Sequence, residues 1–234
     1  MSKKINTLAS GNIVKLNENG VPKKYLFLGY NHYGKGEVTL LRKDALGGRA
    51  WAPSGQSSYN IYNGCDIDTF CNEQHIQCLD PVIKACLINV PIPTVKGAIA
   101  GTFVSTVETL YRKGFLLSCT EVGLSGAGVE GSAFAYFSSD ANRITYHDET
   151  TTAVNWWLRS PYSGYTNYAY RVSANGSLYN YNVCSAYNCP RPALALSSEI
   201  LVSDSVDGDG CYTIVSAPAG EEYMKINGVW MKMV

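Results

Sequence analysis

The chain has 234 residues, 19 basic and 19 acidic side chains, and 46% hydrophobic residues. This length fits one large domain, or one domain with a small appendage, and it is enough to bury roughly 70% of the surface of the unfolded chain. The balanced charge lacks the basic excess by which proteins bind nucleic acid or anionic membranes, so neither partner is expected.

The N-terminus carries two early lysines without an apolar segment behind them, so it lacks the pattern of a secretory signal. No run of about 18 apolar residues is present, so membrane insertion is not expected. We therefore expect synthesis in the cytoplasm. A role outside the cell would then depend on lysis or on assembly into a particle.

Strands dominate the first part of the chain, and short helices follow. Alternation of apolar and polar residues predicts three strands, with turns at Asn19-Gly20 and near Gly34. These strands are residues 12–16, 24–30 and 37–43. Two short helices are predicted near 66–74 and 80–87, the second because Asp80 and Pro81 suit the N-cap and first helical positions.

The second half predicts mostly β-structure. The apolar run at residues 114–124 indicates a buried strand or strand pair. Residues 132–155 are predicted to form an irregular connection. We predict that three segments form the centre of a sheet: the strand with Trp156 and Trp157, the Tyr-rich segment that follows, and the strand 192–196. The fold class expected from this order is α+β.

A composition shift after Leu201 suggests two units. We predict that residues 1–204 form the main domain. Residues 205–234 are predicted to form a C-terminal β-hairpin appendage, because Asn227-Gly228 is a type I′ turn signal. Since an isolated hairpin is not stable in water, we expect it to pack on the domain or on a neighbouring subunit. A homo-oligomer is therefore one alternative for the assembly, and incorporation into a virion is another.

The Tyr-rich segment, residues 162–189, has the composition of a recognition surface. It holds seven of the 17 tyrosines, interspersed with Asn, Ser and Gly. Tyr supplies large amphipathic contact area at low entropy cost, and the small polar residues adapt their hydrogen bonds, as in antibody paratopes. Residues 150–198 hold no acidic side chain. We expect binding by stacking and hydrogen bonding rather than by ion pairs.

The same segment has the composition of a diversified sequence. It contains no Lys, Glu, Gln, Met or Trp, although these types fill 33 of the 206 other positions. No codon ending in cytosine encodes any of the five. Asn AAC codons randomised at their adenines give Tyr, Asn, Ser, Thr, Cys, Gly, Ala and Arg, and never a stop codon. The alternative is an ordinary Tyr/Asn-rich loop region.

Thirteen side chains are predicted to vary, to bind ligand and to cluster on one solvent-facing surface. They are Ser163, Tyr165, Asn167, Tyr168, Tyr170, Arg171, Tyr179, Asn180, Tyr181, Asn182, Ser185, Tyr187 and Asn188. A varying site must not carry the fold, because core substitutions are far more destabilising than exposed ones. Ala169, Val172, Leu178 and Val183 are therefore predicted to point inward.

The residues that bracket the segment are predicted to be scaffold. Adjacent strand residues point to opposite faces, which favours Trp156 and Trp157 as a core pair over an exposed sugar platform. Arg159 and Arg191 are expected to donate to backbone carbonyls rather than to bind an anionic ligand.

No cofactor or metal is expected. No two of the eight cysteines have the C-x-x-C spacing. Cys71, His75 and Cys78 could share a helix face, but a fourth ligand is not evident, so ordinary buried thiols are favoured. The segment 162–189 also lacks the carboxylates that calcium prefers, which disfavours calcium-dependent sugar binding.

Several motifs resemble a family of uncharacterised domains of Gram-positive gut bacteria and their phages. The most specific are WWLRSPY, AYRVSANGS and RPALALSSEILVSD; weaker matches are GNIVKL, TLLRKDAL with GRAW, DIDTFCN, VPIPT, FLLSCTEVG and RITYH. The resemblance covers roughly residues 11–204. It implies a C-type-lectin-like fold, with a twisted antiparallel sheet, two short helices and long irregular loops.

The resemblance also implies a function. Members of this family serve as variable proteins of diversity-generating retroelements, which rewrite adenines in a C-terminal segment. It implies a displayed adhesin or receptor-binding protein, often at a phage tail tip, whose partner is an unknown cell-surface protein or glycan. The rival expectation is a cysteine-dependent oxidase like the formylglycine-generating enzymes, whose fold is related. Cys184 and Cys189 suit it, but no His, Asp or Glu lies nearby in sequence. A third alternative is a purely structural virion or surface protein.

Overall fold

The computed structural model describes residues 1–52, 59–99, 101–148 and 150–216, together with the strands Tyr223–Ile226 and Val229–Lys232. The protein is an α+β structure that consists mostly of sheet with a few short helices. The α+β class predicted from the sequence is confirmed. None of the helices in the described ranges is long and apolar enough to cross a membrane.

Seventeen strands and four short α-helices make up the described regular structure. The strands of the first half are β1 Ser2–Lys4, β2 Ile13–Glu18, β3 Val21–Tyr30, β4 Glu37–Arg42, β5 Val90–Ile99, β6 Thr102–Arg112 and β7 Gly114–Phe115. Those of the second half are β8 Thr145–Tyr146, β9 Ala153–Val154, β10 Trp156–Pro161, β11 Tyr168–Val172, β12 Leu178–Asn182, β13 Ala193–Ser197, β14 Leu201–Ser203, β15 Tyr212–Ser216, β16 Tyr223–Ile226 and β17 Val229–Lys232. The helices are α1 Asp66–Thr69, α2 His75–Gln77, α3 Pro81–Ala85 and α4 Asp140–Arg143; a 3-10 turn Ile5–Thr7 and a π-helical turn Phe70–Gln74 complete them.

An eight-stranded sheet forms the middle of the molecule. Its order is β1-β14-β15-β2-β3-β4-β13-β7, and every pair is antiparallel except β15 with β2. The β2–β3 hairpin turns at Asn19 and Gly20, which both have positive φ (50° and 80°) as a type I′ turn requires. The turn predicted there is thus confirmed.

The two faces of this sheet are covered by different elements. On one face Tyr25, Leu40 and Leu194 pack with Ile76 and Val82 of the helical region. On the other face, Leu26 and Leu41 belong to a second core cluster that contains Trp156, Trp157 and Val172. The sheet therefore lies between a helical layer and a layer built on the three-stranded sheet β10-β11-β12.

The two predicted helical regions are confirmed, at 66–77 and 81–85. The predicted strand 114–124 is shorter than expected. Only Gly114–Phe115 is a strand there, although Leu116, Leu117 and Cys119 are fully buried. The centre of the sheet is corrected too, because β13 belongs to the eight-stranded sheet whereas β10, β11 and β12 form a separate one.

The eight-stranded sheet continues past the boundary predicted at residue 204. β15 lies between β14 and β2 and pairs with both, so this strand belongs to the main domain. The physical reason is that β15 supplies the hydrogen bonds between β14 and β2 in the described sheet, so that β14 does not reach β2 without it. β16 and β17 pair with each other, with Ile226 opposite Val229, and the predicted Asn-Gly turn between them lies outside the described residues.

Candidate functional site

The Tyr-rich segment forms a β-hairpin on a buried strand. β11 pairs with β10 on one side and with β12 on the other, so β12 is the outer strand of this sheet in the described part of the chain. All six residues of β10 are buried, whereas every residue of β12 keeps some exposure. The hairpin thus rests on the core through β10 and turns its outer strand to solvent.

The hairpin register divides the candidate residues between two faces. In an antiparallel pair, directly opposite residues share a face and consecutive residues alternate. Arg171 lies opposite Tyr179, and Tyr170 lies opposite Asn180. One face therefore carries Ala169, Arg171, Tyr179 and Tyr181. The other carries Tyr168, Tyr170, Val172, Leu178, Asn180 and Asn182.

Aromatic contacts follow this division and define two clusters. The Tyr170 cluster consists of Tyr162, Tyr165, Tyr168 and Tyr170, whose neighbouring ring centroids lie between 5.2 and 6.1 Å apart. The Arg171 cluster consists of Arg171, Tyr179, Tyr181, Tyr187 and Asn188. The predicted single surface is thereby corrected to two clusters, because residues 170 and 171 are neighbours on a strand and must point to opposite faces.

The candidate side chains differ in exposure. Ser163, Tyr165, Tyr179 and Tyr187 are exposed, the last three by 62%, 56% and 68%. Asn167, Tyr168, Tyr170, Arg171, Asn180, Tyr181, Asn182 and Ser185 are half-buried. Asn188 is fully buried, which corrects its assignment to the exposed set. Twelve of the thirteen side chains therefore reach solvent, and none of the seven tyrosines of the segment is fully buried.

The apolar residues between them behave as predicted. Ala169, Val172 and Val183 have no solvent exposure and belong to the core cluster around Trp156 and Trp157. Leu178 is half-buried and packs against the same cluster. The segment therefore contributes Ala169, Val172 and Val183 to the core, whereas its tyrosines all keep some exposure to solvent.

Arg171 gives its cluster a cation that forms no ion pair with the acidic residues in the described part of the chain. Its Nη1 donates to Asn188 Oδ1 at 2.7 Å, and its guanidinium lies 5.3 and 4.8 Å from the ring centroids of Tyr179 and Tyr181. Burial lowers the pKa of Arg171 from its ordinary value. Among the described residues, Arg171 Nε and Asn188 Nδ2 are buried donors without a hydrogen-bond acceptor. The half-buried guanidinium of Arg171 thus gives this cluster a positive charge, which the Tyr170 cluster lacks.

Asn60 fixes the turn beneath the Tyr170 cluster, and sequence analysis missed it. Its Nδ2 donates to the carbonyl oxygens of Tyr162 and Tyr168 at 2.9 and 2.6 Å, and its Oδ1 accepts from the Ala98 amide at 2.8 Å. A Cβ on Gly97 would lie 2.5 Å from Asn60 O, so only glycine allows this approach. Asn60 lies in a loop without periodicity, where no sequence signal distinguishes a buried Asn.

The tip of the hairpin is anchored as well. Gly176 has φ +87°, and a Cβ there would collide with Asp140 O. The Ala174 amide donates to Asn155 Oδ1 at 3.1 Å. The hairpin backbone is therefore anchored both at this tip and at the Asn60 turn.

The bracketing residues are scaffold, as predicted. Trp156 and Trp157 are fully buried, and their Nε1 groups donate to the carbonyl oxygens of Arg143 and Arg49. Arg191 Nε and Nη2 donate to Arg42 O and Lys43 O, both at 3.0 Å, and burial lowers its pKa to about 10.

Arg159 has the predicted carbonyl acceptors and an acidic partner besides. It donates to Pro93 O and Leu116 O, and its Nη1 and Nη2 both donate to the buried carboxylate of Glu121 at 2.6 Å. Burial alone would lower the pKa of Arg159, but the carboxylate outweighs it and the pKa is raised.

The cysteines of the rival expectation lie in apolar surroundings. Burial raises the pKa of both Cys184 and Cys189, which keeps them as thiols at neutral pH. His75 Nε2 lies 3.0 Å from Tyr25 Oη rather than in a ligand set. Within the described ranges, no group of three or more His, Cys, Asp or Glu side chains could hold a metal ion.

The molecule is thus an α+β protein whose buried WWLRSP strand carries a Tyr-rich hairpin with two accessible faces. Residues 35–198 match a domain of unknown function, DUF6273, and the chain belongs to that family. Comparisons with curated proteins and with solved structures gave no match.

Proposed function

We propose that this protein is a ligand-binding protein that displays residues 162–189 as a hypervariable surface on a C-type-lectin-like scaffold. It serves as an adhesin or receptor-binding protein at a phage tail or a cell surface. Its partner is a protein or glycan on another cell. One observation carries the proposal: the tyrosines and every asparagine of the segment except Asn188 keep solvent exposure, whereas the aliphatic residues between them fill the core.

The exposed surface supports recognition through Tyr and Asn. Buried tyrosines need partners for their hydroxyl groups, whereas exposed ones offer both ring faces and a hydroxyl to a ligand. The Tyr170 cluster consists of tyrosine side chains alone, whereas the Arg171 cluster contains a guanidinium as well as tyrosines. Two faces of different chemistry allow one hairpin to bind an aromatic or apolar epitope on one side and an acceptor-rich epitope on the other.

Binding can be tested on intact cells of a panel of Gram-positive gut bacteria, with fluorescently labelled protein and flow cytometry. We expect the wild type to bind at least one strain, and the double variant Tyr179→Ser/Tyr187→Ser to lose that binding. A matched control is Tyr30→Ser/Tyr146→Ser, which removes two exposed tyrosines (52% and 39%) outside the hairpin. Equal binding by wild type and both variants would count against the proposed surface.

Diversification has a separate test in the coding sequence. A retroelement rewrites adenines, so we expect a nearby reverse transcriptase gene and a near-copy of the coding segment for 162–189. The two copies should differ only at adenines. Differences scattered over all four bases would contradict this part of the proposal.

The cysteine-dependent oxidase is the weaker candidate. Reactive cysteines are thiolates near cationic groups, whereas burial raises the pKa of both Cys184 and Cys189. Iodoacetamide labelling at pH 7 separates the two functions. The oxidase predicts fast labelling of one of these thiols, and the binding protein predicts slow labelling of both.

A further inference from the structure

The long strand β6 has a free edge. It runs over 11 residues, Thr102–Arg112, and within the described chain it pairs with β5 alone. Free edges present unpaired N–H and C=O groups, and proteins usually protect them with Lys, Pro or bulges. β6 contains neither Lys nor Pro, and its one register shift lies between Val104 and Val107. The stretch beyond it is regular.

Two prolines of β5 reveal which backbone groups face this edge. Pro91 lies opposite Tyr111, and Pro93 lies opposite Thr109. Proline has no N–H, so these pairs cannot exchange ladder hydrogen bonds, and the intervening pairs must form them. The N–H and C=O groups of Val107, Thr109 and Tyr111 therefore point away from β5, toward the free edge.

The side chains at the same positions are exposed. Val107 and Tyr111 are 43% and 56% exposed, Thr109 between them is exposed, and Leu110 on the opposite face is buried. An exposed, regular edge with apolar side chains favours pairing with another strand.

We infer that the occupant is a second copy of this chain, paired antiparallel through β6 about a two-fold axis at Thr109. Such an axis places Thr109 opposite Thr109 of the second copy. It also places Val107 of each copy opposite Tyr111 of the other copy. Aromatic and β-branched residues are favourable cross-strand pairs. Tyr111 O already accepts from Arg112 Nη1 at 3.0 Å, and its second lone pair is available to the Val107 amide.

Other registers fit less well. An axis at Glu108 sets two carboxylates opposite each other. An axis at Leu110 sets Val107 opposite Lys113 and Tyr111 opposite Thr109, so that the two exposed apolar side chains no longer meet. Of these three axes, the one at Thr109 is the one that sets Val107 and Tyr111 opposite each other.

The dimer would display two binding hairpins at opposite ends. The Asn60 amide joins Ala98, near the tip of the β5–β6 ribbon, to the Tyr162–Tyr168 turn. Antiparallel pairing points the two tips in opposite directions, on the order of 50 Å apart at about 3.3 Å per residue. A ligand on a surface would then be bound bivalently, which raises avidity without new contacts.

The test is the oligomeric state of the full chain by sedimentation equilibrium. We expect a dimer for the wild type and a monomer for Thr109→Pro, because that substitution removes an N–H that the new pairing needs and that β5 does not use. Val107→Lys should also give a monomer. Val21→Lys, at a similarly exposed valine (49%) on β3, should stay dimeric. A monomeric wild type at high micromolar concentration, or a dimer that survives both edge substitutions, overturns the inference.

Cysteine cross-linking tests the register directly. Under mild oxidation, Thr109→Cys should form a disulfide with its own copy, whereas Val107→Cys alone should not. A mixture of Val107→Cys and Tyr111→Cys should cross-link. The wild type under the same oxidant reports any reaction of the native cysteines. Cross-linking of Val107→Cys with itself, or none by Thr109→Cys, contradicts the axis at Thr109.

Discussion

Arg159 and Glu121 form a buried ion pair beneath the recognition hairpin. Both side chains have no solvent exposure, and the guanidinium donates to both carboxylate oxygens at 2.6 Å. Two further acceptors of Arg159, the carbonyl oxygens of Pro93 and Leu116, belong to segments far from it in sequence. The pair thus joins β10 to β5 and to the buried chain after β7.

Removing one partner of this pair should be strongly destabilising. Glu121→Gln leaves a buried guanidinium without its counter-charge, and we expect it to lower the free energy of unfolding by about 3–5 kcal/mol. Urea denaturation at pH 7 measures this. The control is Glu199→Gln, which breaks the exposed pair with Lys4 and should change stability by less than about 1 kcal/mol. Equal losses in the two variants would contradict a structural role for Glu121.

His75 should make the stability depend on pH. Burial lowers its pKa to about 4, whereas an unfolded histidine titrates near 6.5. Between these values the unfolded chain binds a proton that the folded chain does not. The free energy of unfolding should therefore fall as the pH drops from about 6.5 to about 4, by at most about 1.4 kcal/mol per pH unit, and level off below.

The variant His75→Gln isolates this effect. A glutamine side chain does not titrate, and its amide can still donate to Tyr25 Oη. Urea denaturation at several pH values between 4 and 7 should show a smaller slope in the variant than in the wild type. An unchanged slope would assign the pH dependence to other groups.

Among the elements, the turn between β10 and β11 depends on one side chain from a distant loop. Asn60→Ala removes the donor to Tyr162 O and the acceptor of the Ala98 amide, whereas Tyr168 O still accepts from the Tyr162 amide. Each buried backbone group that is left without a partner costs about 1–3 kcal/mol. We expect lower thermal stability and faster hydrogen exchange over 162–168. Asn63→Ala, an exposed asparagine of the same loop, serves as control. Unchanged exchange in Asn60→Ala would show that the turn orders itself.

Periodicity and turn chemistry predicted most of the elements. The helices at 66–77 and 81–85, the first strands and the scaffold role of the Trp pair followed from local signals, since caps, alternation and Asn-Gly turns act within a few residues. The two-face arrangement did not follow, because a side chain's face depends on the strand register. Likewise the burial of Asn188 did not follow from the sequence, because a polar residue is expected at the surface. Its hydrogen bond with Arg171, seen in the structure, explains why it is buried.

At the scale of the whole molecule, the position of β15 decides where the chain can be shortened. Among the described strands, β14 is connected to β2 and the rest of the main sheet through β15. Truncation after Ser203 removes that strand, and we expect loss of cooperative unfolding. Truncation after Ser216 removes only the part that contains the β16–β17 hairpin and should keep a cooperative transition. Circular dichroism during heating distinguishes the two, and a cooperative transition in the shorter chain would contradict the sheet order.

The central claim is that the hairpin can vary its outward side chains while its inward ones carry the fold. The most direct measurement is protease resistance of a displayed library in which each member carries, at one of the twelve solvent-reaching candidate positions, an AAC codon randomised at its adenines. Exposed substitutions usually change stability by less than about 0.5 kcal/mol, so most members should stay as resistant as the wild type. A second library, with the same codons at positions 169, 172 and 183, should be mostly degraded. Equal degradation of the two libraries would contradict the claim.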